Sequence, residues 1–241
     1  MDSIYTPERL KFDLSGEVIV ALIIVFIVVL FSIYIGIRAK TADPLKRPKG
    51  ILLLAEIVVE KADEFVHDTM GVGFSNYGGI IIGQITFLAL GFLAGILGLP
   101  TPMTNLSIPL SLGLSTFILI HATSVRFTKI RYFKRYIEPI PLFLPINLIS
   151  MWAPLLSLSI RLFGNATSGW LIMTLLNTAL SSLGAMLFGS VAGTLVGIGV
   201  GTPLFHAYFD IVSALIQSLV FMYLTALLCA QERPEDYIDA K

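Results

Sequence analysis

Charge is scarce in this chain: only 13% of its 241 residues are charged, against 56% hydrophobic. Mean hydropathy is +0.86. Soluble domains carry about 25% charged residues, and one this apolar has no way to hide its surface from water. Neither sign of charge is in excess, since 16 Lys and Arg balance 16 Asp and Glu. That excludes the basic surplus on which phosphate binding depends, so nucleic acid is not expected as a partner. Cysteine is nearly absent. The single Cys229 excludes an internal disulfide framework and a Cys-based metal cluster, and is read as a small apolar residue of a membrane helix. No Gly-Lys-Ser/Thr cradle occurs, and Gly197, Gly199 and Gly201 lack a preceding soluble strand, so no nucleotide site is expected. No metal or cofactor site is expected either. Internal repeats are also missing, which argues against a solute transporter built from inverted halves.

What the chain does have is long uncharged runs. Residues 1–17 mix Asp2, Glu8, Asp13 and Glu17 with Arg9 and Lys11, unlike the basic start of a cleavable signal peptide. From Val18 to Ile37 there is no charge, enough to cross about 30 Å of hydrocarbon. Arg38, Lys40, Lys46, Arg47 and Lys49 follow. The positive-inside rule places this loop in the cytoplasm and the N-terminus outside. Residues 51–68 differ: Leu54, Ile57, Val58, Phe65 and Val66 recur at helical spacing while Glu56, Glu60, Asp63 and Glu64 gather elsewhere. The pattern is that of an amphipathic helix on the cytoplasmic side.

Residues 77–125 read as a transmembrane hairpin turning near Pro100, Pro102, Asn105 and Ser107. Its return brings Arg126, Lys129, Arg131, Lys134 and Arg135 to the same side as the first basic loop. Between Glu138 and Glu232 the only formal charges are Arg161 and Asp210, with His206 the only imidazole. Four upright spans fit this length, as do two long tilted helices. With no charged loop between them, 139–231 is read as one long helical hairpin. Gly189, Gly193, Gly197 and Gly201 repeat every fourth residue within it, a spacing for close packing or a bend. The expected fold is therefore all-α. Residues 1–241 form a single integral membrane domain with about five membrane helices and one amphipathic helix, the last two helices long and tilted, the C-terminus cytoplasmic.

The candidate site lies in that hairpin. Arginine in hydrocarbon costs about 2.5 to 3.5 kcal/mol on insertion scales and cannot shed its proton, so Arg161 must face protein or water. Ser157 and Asn165 lie one turn from it and Ser168 one turn further, a polar stripe; His206, Asp210, Ser213 and Gln217 form a second at spacings of four, three and four. Two such stripes on neighbouring helices line an aqueous path. An intramembrane serine protease using Ser168 and His206 is a weaker reading, because no oxyanion arrangement accompanies the serine.

The run Ser157-Leu158-Ser159-Ile160-Arg161-Leu162-Phe163-Gly164-Asn165, with Gly169 after it and Gln217 in the last helix, resembles subunit a of bacterial F-type ATP synthase. The resemblance implies a non-catalytic stator in the bacterial plasma membrane. It would hold two offset half-channels against a ring of c subunits, alongside the b subunits of the peripheral stalk and the rest of the synthase. On that likeness Arg161 is the essential arginine separating the half-channels, Asn165 the polar residue one turn later and Gln217 the glutamine facing it. Asp210 falls where relatives carry a proton-relaying histidine or acid. Two positions depart from the pattern: Trp170 stands where many relatives have glutamate, and an acid often found near the hairpin turn is replaced around Met103. Fewer titratable groups are then left for the relay.

Overall fold

The apolar runs fold into helices in a computed structural model, which describes residues 15–43, 48–129, 132, 142, 144–189, 195, 199 and 202–234. Among the described residues six α-helices follow one another: α1 Gly16–Thr41, α2 Ile51–Met70, α3 Gly78–Leu93, α4 Ser107–Thr128, α5 Leu144–Phe188 and α6 Thr202–Ala230. Two short 3-10 turns, Ala94–Leu97 and Pro102–Thr104, join α3 to α4, and no strand occurs among the described residues. All of the helices except α2 are long and apolar enough to cross a membrane, five in all. The basic residues Lys46, Arg47, Arg131, Lys134 and Arg135, and Gly193, Gly197 and Gly201 of the glycine series, lie outside the described residues.

Helix α1 is apolar around its whole circumference, with Glu17 in its first turn and Arg38 and Lys40 in its last, each charge complementing the helix dipole at its end. Only Val20, Ala21 and Ile24 are buried against the rest of the chain, so hydrocarbon must cover the other faces. By contrast, α2 is docked through Val66 and Met70, which join Phe74, Tyr77, Ile81, Ile120, Ala226 and Cys229 in one cluster. Its Lys61 pairs with Glu64 in solvent. The hydrogen bond and charge of Lys61 hold the Glu64 carboxyl below its ordinary range, and the same bond raises Lys61. Exposed as it is, this pair is largely screened. The Asp63 carboxylate sits against Gly78, where the positive end of α3 favours an anion.

Hydrogen bonds between hydroxyls and an amide hold α3, α4 and α6 together. Tyr77 and Thr123 are linked at 2.8 Å, Gln84 donates to Ser115 at 3.1 Å, and Thr116 meets Thr225 at 3.4 Å. Among hydrocarbon-facing helices such bonds, with close packing, replace the hydrophobic drive of water. The main core cluster is completed by Leu158, Leu162 and Ala166 of α5 with Leu88, Phe92, Met103, Ala214 and Phe221.

The 45 residues of α5 span about 68 Å at 1.5 Å per residue, roughly twice the hydrocarbon thickness, so an α5 contained in the bilayer must tilt steeply. Its C-terminus is set at Gly189, whose φ of 88° suits glycine and ends the helix. Close approach of α5 to α4 depends on Gly113. A methyl group there would collide with Ser159 Oγ and stand 3.0 Å from the Leu155 carbonyl oxygen.

Gly113→Ala should therefore destabilise the protein by about 1 to 3 kcal/mol, read as a lower unfolding temperature in detergent. Gly79→Ala, with nothing within 4 Å of the new carbon, should leave stability unchanged or slightly raised. Equal effects of the two substitutions would refute the close contact.

Candidate functional site

Leu158, Leu162 and Ala166 bury one side of α5, and Arg161, one residue before Leu162 and so about 100° around the helix, is left exposed. Among the described residues it forms no ion pair. Asn165, one turn along, is half-buried, and its Nδ2 donates to Gln217 Oε1 at 3.0 Å. Gln217 is itself only 4% exposed. The bond ties α5 to α6 at the level of the arginine. Ser157 and Ser168 are exposed to either side of Arg161 and line neither of the cavities described next. His206 belongs to α6, but its side chain lies outside the described residues.

The larger cavity, of about 750 Å³, opens at one end of the bundle. Its walls are the first turn of α1 (Glu17), the α3–α4 connection (Gly95, Thr101, Thr104), the middle of α5 (Asn165, Gly169, Trp170) and the start of α6 (Asp210, Ser213). Asp210 Oδ2 is buried and lies against Gly95, where an added methyl carbon would stand 2.6 Å from it and 3.2 Å from Thr101 Oγ1. Only glycine at 95 leaves room for that carboxylate. Trp170 lines this cavity, whereas Met103 is fully buried in the core; of the two positions where the resemblance would put an acid, only the first faces the cavity.

The second cavity, of about 270 Å³, lies at the opposite ends of α4 and α6. It is walled by His121 and Ser124, Tyr132, Asn147, Ser150 and Pro154 of early α5, and Gln231 and Glu232 beyond α6. His121 Nδ1 lies 2.8 Å from the Phe117 carbonyl, so in the neutral ring Nδ1 carries the hydrogen and Nε2 is left as an acceptor. Pro154 has no N–H for the carbonyl of Ser150, which frees another acceptor on this wall.

Along α5, Pro154 belongs to the smaller cavity and Asn165 to the larger, and Arg161 falls between them. Gln217 likewise falls between Ser213 and Leu228 on α6. The plane of Arg161, Asn165 and Gln217 thus divides two chambers that reach the bundle from opposite ends. Glu17, Gly95, Thr101 and the residues of the smaller cavity carry no local motif. His121, a lone imidazole in an apolar span, was the one signal available for the second chamber.

The family model described as ATP synthase A chain matches residues 18–229. ATP synthase subunit a of Mycoplasma genitalium is 30% identical over 222 residues, covering 86% of this chain and 76% of that one. The subunit a of Mycoplasma pneumoniae is 30% identical over 230 residues, 88% of this chain and 77% of its own. That of Mycoplasmoides gallisepticum is 28% identical over 225 residues, 87% and 75% respectively.

Asn165→Leu should cost about 1 to 3 kcal/mol by leaving the buried Gln217 amide without its partner. The double variant Asn165→Leu, Gln217→Leu should recover part of that loss, because removing both polar groups removes the unsatisfied one. Additive losses in a thermal-unfolding cycle would argue that the two side chains do not interact.

Proposed function

Since the chain belongs to the ATP synthase A chain family, we propose that it works as the proton-conducting stator of the synthase membrane sector, with the two cavities as its half-channels. The observation that carries this reading is the position of Arg161 between cavities reaching from opposite ends. The large cavity is the outer half-channel and the small one the cytoplasmic half-channel. This orientation follows from the two basic loops, which put the N-terminus outside and the C-terminus inside a bacterial plasma membrane.

The exposed arginine implies a partner. Ile160, Leu171 and Leu175 on α5 and Leu215 on α6 are also exposed by half or more, so Arg161 stands in an apolar surface where lipid alone would leave it unpaired. A ring of c subunits, each bearing a carboxyl at mid-membrane, supplies both an apolar face and an acid. The b subunits of the peripheral stalk then keep the chain from turning with the ring.

Coupling follows from the charges. A ring carboxyl reaching Arg161 is favoured as the anion and gives its proton to one chamber; before moving into lipid it must be neutral again, and it takes a proton from the other. Asp210, about 10 Å along α6 from Gln217 at 1.5 Å per residue, receives outer protons. Asn165 and Gln217, bonded to each other, fix the wall beside the arginine. Arg161 also repels a proton crossing directly between chambers, so conduction requires rotation. Membrane potential supplies about 2.3 kcal/mol per charge per 100 mV.

Arg161→Ala should abolish ATP synthesis in vesicles while passive proton conductance persists or rises. Arg161→Lys should not restore synthesis, because the ammonium lacks the planar fork and loses its proton when desolvated. Synthesis at the parental rate in Arg161→Ala would overturn the stator reading. Asp210→Asn should slow ATP-driven pumping in a fully assembled complex. Pumping identical to the parent between about pH 6 and 8 would remove that carboxylate from the path.

A further inference from the structure

Among the described residues, Glu17 and Asp210 are the two carboxylates lining the larger cavity. They come from opposite ends of the sequence. Nothing else titratable faces that cavity among the described side chains: the α3–α4 connection contributes threonines and apolar groups, and α5 contributes Asn165 and Trp170. Arg161 lies one turn beyond Asn165.

Glu17 is held at the rim by the first turn of α1. Asn105 in the α3–α4 connection donates through Nδ2 to Ser15 Oγ at 3.0 Å, and a methyl group at Gly16 would stand 3.3 Å from Pro100 Cγ. The next residue after Pro100, Thr101, is beside Asp210. One short loop therefore touches the α1 start on one flank and the Asp210 carboxylate on the other. Glu17 begins the membrane-crossing stretch and marks the outer end of the cavity. Asp210, two turns into α6, stands nearer the plane of Arg161.

We propose, resting on the stator reading above, that Glu17 is the proton-collecting group of the outer half-channel. Its carboxylate takes a proton from external water and passes it through cavity water to Asp210, returning to the anion as Asp210 becomes the acid. A fixed anion at the mouth of a low-dielectric cleft raises the local concentration of cations, so the gain is largest when protons are scarce. This assigns the N-terminal helix a part in conduction beyond anchoring.

The test compares Glu17→Gln and Glu17→Asp in the assembled synthase, in vesicles held at constant total proton-motive force while the pH on the outer face is varied. Glu17→Gln should lose about tenfold in synthesis rate near pH 8 and less than about twofold near pH 5.5, and Glu17→Asp should restore most of the loss. A Glu17→Gln deficit that is the same at every pH, or the absence of any deficit, would overturn the assignment. In the first case the residue acts in packing and in the second it is idle. Arg161→Ala assayed in parallel separates the two levels of inference. If it abolishes synthesis while Glu17→Gln follows the parental pH curve, the role of Glu17 alone falls; if Arg161→Ala makes ATP normally, the stator reading falls with it.

Discussion

An arginine that cannot lose its charge stands at mid-length in a helix otherwise suited to hydrocarbon, and the surrounding structure is arranged around that constraint. Leu158, Leu162 and Ala166 bury the neighbouring face of α5, which turns Arg161 outward instead of into the core. The cation is left without a pairing carboxylate among the described residues. An internal partner would have neutralised it at the cost of its use. On the stator reading, a charge kept available at an apolar surface attracts acids carried past on the ring and so sets when those acids ionise.

The same constraint explains where the polar groups are. On the stator reading proposed above, water comes close to the arginine without forming a continuous column past it. Two chambers of unequal size approach from the two ends, and the Asn165 to Gln217 bond at 3.0 Å closes α5 against α6 between them. Glycines make the geometry possible at two points. Gly113 lets α5 lie against α4 beside the arginine turn, and Gly95 makes room for the Asp210 carboxylate. Pro154 gives the smaller chamber an acceptor that a regular helix would have consumed.

Much of this was legible along the chain because membrane helices obey a strict rule: every backbone polar group must be satisfied within the segment, so uncharged runs of sufficient length become helices. The five spans and the amphipathic α2 emerged from run length and periodicity. Arg161, Asn165, Asp210 and Gln217 were visible as rare polar groups at helical spacing. Ser157 and Ser168 share that spacing yet line neither cavity, because periodicity places a residue on a face without saying what the face meets. Glu17 was hidden for the opposite reason. It sits among other N-terminal charges, and its relation to Asp210 spans nearly the whole sequence.

The sequence by itself therefore determined the membrane class, the helix count, the isolated arginine and the polar residues sharing its faces, since each depends on composition and on a period of 3.6 residues. Tertiary structure alone decided that Met103 is core while Trp170 is cavity wall, and that α1 contributes a carboxylate to the chamber of α6. It also decided that Arg161 faces outward between two separate chambers. Such facts depend on which helix surfaces meet, and that is settled by small residues, hydroxyl pairs and loop geometry acting between segments far apart in the chain.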